Sequence, residues 1–126
     1  MWGGFRLLLQ AGLIARLPRI VGVQPALLDP VCAAYRAGLE RVPGAEAKGR
    51  SIAEGLAIAA PVRGRRVLQA IRESAAFCVS VEEDAILRAQ AMLARGGFYA
   101  EPTSATAAAA LEWVLPRTKA EDCIVV

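Results

Sequence analysis

The chain has 126 residues, 56% of them apolar but only 6% aromatic, and a net charge of +3 from 15 basic and 12 acidic side chains. That length fits one domain with a core of Ala, Leu, Val and Ile. Histidine is absent, which excludes Ser-His and Cys-His catalysis and histidine metal sites within these residues. Charges of both signs are interleaved, and the one basic cluster, Arg63, Arg65 and Arg66, has no aromatic neighbours for base stacking. It reads as a solvated helix face, not a nucleic-acid contact.

The N-terminus, MWGGFRLLLQAGLIARL, is apolar but interrupted by Arg6, Gln10 and Arg16. It is too short and too broken to span a bilayer and lacks the order of a secretory signal, so a cytoplasmic chain without a membrane partner is expected. Within it, Phe5–Ala11 has a helical pattern with Phe5, Leu8 and Leu9 on one side, and Gly12 is a plausible stop. Arg19–Gln24, RIVGVQ, is β-branched and nearly all apolar, the mark of a strand covered on both faces. Asp29-Pro30 then opens a helix, with a capping carboxylate before a first-turn proline, and the helix should run to about Arg41. Val42–Arg50 reads as a surface loop. Ser51–Ala60 is apolar except at Glu54-Gly55; on its residues alone it is a core turn in which glycine permits close backbone approach.

Pro61 opens a helix to about Ser74 with Val67, Leu68 and Ile71 inward, and Ala76–Val81, AFCVSV, is a second buried strand. Glu82, Glu83 and Asp84 begin the next helix, where the macrodipole favours carboxylates; consecutive helix positions do not converge on a metal. That helix buries Ile86, Ala89 and Leu93 and stops at Gly96-Gly97. Phe98–Ala110, FYAEPTSATAAAA, leads through Glu101-Pro102 into a helix whose start carries Thr103 and Ser104 as capping candidates. Its small residues, Ala105 and Ala107 to Ala110, suit either a ligand or a tightly packed core, and the residues alone favour the core. The helix closes at Pro116, and Glu121–Val126, EDCIVV, reads as a third buried strand. Cys32, Cys78 and Cys123 show no C-x-x-C spacing and sit in apolar stretches, as expected for buried free thiols in a reducing compartment.

The alternation of elements gives an α/β fold, a partial three-layer sandwich with a small, mainly parallel sheet, and makes residues 1–126 a single incomplete domain. Three strands are few for this much apolar surface. Further strands are expected from a longer parent chain or an oligomer partner.

Taken in order, GGFRLLLQAGLIARLPRIVGVQP, RSIAEGLAIAAPVRGRRVLQAIRES, VSVEEDAILRAQAMLARGGFYAEPTSA and EDCIVV resemble fold-type II pyridoxal-phosphate enzymes. They are most similar to threonine synthase, with threonine and serine dehydratases as near relatives. The resemblance implies a segment from the C-terminal part of a pyridoxal-phosphate-binding domain, in a parent that converts O-phosphohomoserine and water to threonine and phosphate. It also implies a cofactor-linking lysine, a glycine-rich phosphate loop and a Ser or Thr at the pyridine nitrogen, none of which has a counterpart here. Lys48 and Lys119 are not in a lysine-motif context, and Gly3-Gly4 stands about where the phosphate loop would end. The chain alone is therefore not expected to hold the cofactor covalently or to turn over.

Five positions are carried across. Glu101, Pro102 and Thr103 match the segment whose carboxylate lies near the cofactor ring, and Glu54 and Gly55 match the turn that passes the cofactor and substrate. A metal is not expected: where serine-racemase-like relatives have a ligating glutamate, this chain has Gln24, followed by Leu28 and Pro30. The partners implied are the rest of the parent chain or an oligomer partner, and an amino-acid substrate. The alternatives are a threonine/serine dehydratase-like parent and a non-catalytic binding or oligomerisation module.

Overall fold

The β-branched run at Val21 and Val23 and the run at Cys78–Val81 pair as parallel strands in the computed structural model, which describes residues 1–126. These are β1 (Gly22–Pro25) and β2 (Cys78–Val81), with Gly22 opposite Cys78 and Pro25 opposite Val81. Strand alternation sorts the side chains between two layers of helix. Val79 and Val81 join a core with Ala85, Ile86 and Ala89 of α4 (Glu83–Arg95) and Ala105, Ala108 and Ala109 of α5 (Pro102–Ala109). Cys78 faces the other way, onto Val31 and Ala34 of α2 (Pro30–Arg36) and Leu68 and Ile71 of α3 (Gly64–Glu73). The result is the expected three-layer α/β arrangement, around a sheet of two strands.

Helices α1 (Trp2–Gln10) to α4 all end in the same way. The residue after the C-cap takes positive φ, and the next N–H reaches back to the carbonyl five residues earlier: Leu13 to Leu8, Leu39 to Ala34, Ala76 to Ile71 and Phe98 to Leu93. This double-bonded ending satisfies carbonyls that would otherwise be orphaned, and glycine fills the left-handed position most easily. Gly12, Gly38 and Gly97 do so at φ of 69°, 70° and 85°. Gly38 is why α2 stops at Arg36 and does not continue to Arg41. In α3 the position is held by Ala75 at φ 51°.

The start of α2 departs from the local rule. Asp29 occupies the N-cap position but makes no capping bond. The side chain of Gln24, on β1, caps instead: its Oε1 accepts from the N–H of Val31 at 2.8 Å and of Cys32 at 3.1 Å. Asp29 is left free to turn toward β2, where its buried carboxylate accepts from Ser80 Oγ at 2.5 Å and from Arg36 Nη2 at 2.5 Å. Lys48 lies 3.9 Å from its other oxygen.

Three expectations are corrected. Val67 is 41% exposed; the buried residues of α3 are Gly64, Leu68, Ala70 and Ile71. Of Phe5, Leu8 and Leu9, placed on one side of α1 by the helical pattern, Leu8 and Leu9 are exposed and Phe5 is half-buried, and nothing in α1 is fully buried; Trp2 Nε1 donates to Glu73 at 2.7 Å. Glu121–Val126 forms no strand, and Cys123 is exposed. β2 already pairs with β1 on one side, and the cleft flanking its residues Phe77–Ser80 is lined by Trp113 and Arg117, with Arg117 stacked on Phe77 at 5.1 Å. No helix is long and apolar enough to cross a membrane.

Two predictions arise from this packing. Ala75→Gly relieves a left-handed alanine, a strain of about 1–2 kcal/mol, against a smaller gain in unfolded-state entropy. Urea denaturation should show a net stabilisation of up to about 1 kcal/mol, and a loss would mean that Ala75 stores no strain. The second concerns acid. Burial pushes the Asp29 carboxyl up, but the Ser80 hydroxyl and then the Arg36 guanidinium outweigh it, so the group sits below the usual carboxylate range. Its contribution is then fully present above the unfolded carboxylate pKa of about 3.9 and is lost as pH falls through the lower folded value. Asp29→Asn should be less stable at neutral pH, and the gap to the parent should close as the pH falls below about 4; a constant gap would sink this assignment.

Candidate functional site

The segment Ser51–Gly55 is held in place by a carboxylate from another element. Glu83, in the first turn of α4, accepts from Ser51 Oγ and from the Ile52 N–H, each at 2.8 Å. Ser51 is buried, and its Oγ also accepts from the Ala53 N–H at 3.1 Å. Ala53 is fully buried in the core shared by α4 and α5, so the turn is pinned at three successive residues. The chain then passes through a single 3-10 turn, Glu54–Leu56.

That turn lies against the start of α5. A Cβ built on Gly55 would stand 3.1 Å from Thr103 Oγ1 and 3.2 Å from its Cγ2. The absence of a side chain at Gly55 is thus what lets the two segments approach this closely. Two stretches almost fifty residues apart in sequence, singled out separately, are brought together. The carboxylates among them are not. Glu54 is exposed and turned to Arg50, whose Nη2 donates to Glu54 Oε1 at 2.6 Å. Glu101 is exposed at the N-cap of α5 and makes no capping bond with its side chain.

Pro102 is the first residue of α5, half-buried, and its carbonyl accepts from Thr106 Oγ1 at 2.9 Å. Thr103 and Ser104, expected as caps, lie inside the first turn and make no capping bond. The alanine run is core: Ala105 is fully buried and Ala108 to Ala110 nearly so. Ahead of the helix, Gln90 of α4 donates to the Ala100 carbonyl at 2.9 Å and fixes the approach to Glu101.

The supporting residues Ser51, Glu83 and Gln90 were not visible as such in the sequence. Glu83 lay in the acidic trio read as a helix start, but Glu82 makes no capping bond and Asp84 pairs with Arg88 one turn on. Nothing local signals that the middle member reaches a loop from an earlier part of the chain.

The family model for pyridoxal-phosphate dependent enzymes matches residues 1–126. The chain belongs to this family. It is 31% identical over 116 residues to the threonine synthase of Methanocaldococcus jannaschii, covering 91% of this chain and 28% of that protein. It is 34% identical over 112 residues to the threonine synthase of Methanosarcina acetivorans, covering 88% and 27%. The crystal structure of a threonine deaminase from T.th. shares the fold with a TM-score of 0.66 and 25% identity, over 86% of this chain and 39% of that one. The chain therefore spans 28% and 27% of the threonine synthases it matches.

The residues present fit part of what a pyridoxal-phosphate enzyme needs. Gly55 brings its backbone against the Thr103 side chain at the start of α5, and Glu101 presents a carboxylate not used by its own helix. They do not fit the covalent anchor. Lys48 is held by Asp29 and by the Ala26 carbonyl at 3.4 Å, and Lys119 is exposed near the C-terminus. Gln24, with its Oε1 already accepting two backbone N–H groups, is committed to capping α2.

The clamp gives a direct test. Glu83→Gln should lose part of the charge-assisted bonding to Ser51 and Ile52, at a cost of about 1–3 kcal/mol. Hydrogen exchange at Ile52 should quicken while the amides in the middle of α4 keep their protection. Unchanged exchange at Ile52 would show that the turn does not depend on Glu83.

Proposed function

We propose that this chain forms part of a pyridoxal-phosphate enzyme that acts as a threonine synthase, converting O-phosphohomoserine and water to threonine and phosphate. The observation that carries the reading is the meeting of Gly55 with Thr103 beside Glu101, in a chain about one third identical to two threonine synthases. Pyridoxal phosphate, when bound, supplies the electron sink for chemistry at the amino-acid carbons. Our reading gives these residues the supporting roles. Gly55 and Thr103 shape one wall, Pro102 and the Glu83 clamp hold that wall rigid, and Glu54 and Glu101 offer carboxylates to a substrate amine or a water. The lysine and the phosphate-binding loop come from the rest of a longer parent chain, with a neighbouring subunit as the other body able to cover the exposed apolar residues of α1.

A threonine dehydratase-like parent is the second reading, and the likeness to the T.th. threonine deaminase favours it. Assays of the protein containing this segment on O-phosphohomoserine and on threonine separate the two. Phosphate release with threonine formation is the expected result; turnover of threonine alone would overturn the first reading in favour of the second. The 126-residue chain by itself should show neither turnover nor a cofactor absorbance band that survives gel filtration. If it instead forms a soluble, cooperatively melting oligomer, a non-catalytic binding or assembly module becomes the better description.

A further inference from the structure

β2 is paired on one side only, by β1, and residues Phe77–Ser80 also line a cleft of about 180 Å³. Phe77 and Val79 belong to the face covered by α4 and α5, whereas Cys78 packs toward α2 and Ser80 bonds to Asp29 at the head of that helix. One opening reaches both faces only around the outer edge of the strand, since β1 closes the inner one. The ladder shows which main-chain groups point there. The Gly22 N–H donates to the Phe77 carbonyl at 3.0 Å, and the Ala26 N–H to the Val81 carbonyl at 2.8 Å. In a parallel pair alternate residues turn their N–H and C=O to the partner. Phe77, Val79 and Val81 therefore serve β1, and the N–H and C=O of Cys78 and Ser80 point outward. Both sides of this edge carry a guanidinium. Arg36 comes from α2, its Nη1 donating to Ser80 Oγ at 2.8 Å. Arg117 comes from the other face, 5.1 Å over the Phe77 ring, and its Nη1 donates to the Trp113 carbonyl at 2.6 Å. Arg36 has Asp29 as its counter-ion; Arg117 has none, and no carboxylate lines the cleft.

We propose that the outer edge of β2 is a docking site for an extended acidic segment of a partner protein, which adds to the sheet as a third strand. A small anion at this edge would meet the Cys78 and Ser80 carbonyls as well as their N–H groups. A peptide backbone presents donors and acceptors in alternation and answers both. Side chains of an added strand fall on the two faces in turn, so its carboxylates come to Arg117 on one face and to Arg36 on the other. Arg117 is the stronger selector, because its charge has no partner within the chain. The same two cations argue against self-pairing: two copies joined edge to edge at β2 would set guanidinium against guanidinium, a common protection of an open strand.

The test is hydrogen exchange, resolved to single amides, on the protein containing this segment. The probes are a capped peptide of alternating valine and glutamate and its valine–lysine counterpart. The Cys78 and Ser80 amides should exchange fast in the free protein and slow when the glutamate peptide is added, and the lysine peptide should leave them unchanged. Arg117→Ala should weaken binding of the glutamate peptide by about two- to fivefold, and Arg117→Lys should recover part of the loss. Equal slowing by both peptides, or binding that leaves these two amides fast, would overturn the proposal, as would no binding at all. Amides already slow without peptide would also overturn it, because the edge is then covered by the rest of the parent chain or, where the slowing grows with protein concentration, by a second copy. The exchange is read in the unaltered protein, so a poorly folding Arg117→Ala does not weaken the result.

Discussion

A carboxylate at the head of α2 ties this fold together. Asp29 is buried, accepts from Ser80 on β2 and from Arg36 further along its own helix, and draws in Lys48 from the following loop. A parallel pair of four-residue strands is too short to be stable by itself. Parallel strands need a long crossover between them, and β1 and β2 are joined by α2, a loop and α3. The Asp29–Ser80 bond closes that crossover against the second strand. Burying the charge is tolerable because each oxygen faces a donor or a cation.

The same device recurs at the candidate site. Glu83 stands at a helix start, where its charge is favoured by the macrodipole, yet its oxygens go to Ser51 and Ile52. In both cases an acidic residue beside a helix N-terminus directs its hydrogen bonds to a distant element. In α2 the orphaned N–H groups are taken by Gln24, from β1. Long-range ties of this kind fix the relative positions of α2, β2, α4 and the Ser51–Gly55 turn, and with them the approach of Gly55 to Thr103.

Much of this fold is legible in the sequence, because periodicity and turn residues are local. The β-branched runs locate both strands to within three residues, and the glycine stops at Gly12 and Gly97 mark real helix ends. The α/β layering followed from the alternation of elements. What local patterns could not show is where a polar side chain points. Asp29 and Glu83 read equally well as caps, since a capping bond and a bond to a remote serine leave the same trace in sequence. The family resemblance singled out the two segments separately, and the meeting of Gly55 with Thr103 left no trace in any spacing. The third strand failed for a related reason: EDCIVV has a strand's composition, but a strand needs a partner, and residues 121–126 pair with neither β1 nor β2.

The distribution of apolar surface follows from the size of the sheet. Buried residues number 25 of 126, in a chain that is 56% apolar. Among the exposed large apolar residues are Leu7 and Leu13 at the N-terminal helix, Phe98 and Tyr99 ahead of α5, and Val125 and Val126 at the C-terminus. Each lies at a margin of the three layers, outside the two clusters that sandwich β1 and β2. A two-stranded sheet offers each helix layer little more than one row of side chains to pack on, and α1 is left with no buried residue. The polar ties at Asp29 and Glu83 therefore hold the middle of the fold, where burial is complete, while the margins keep the composition of a core without the neighbours that would make them one.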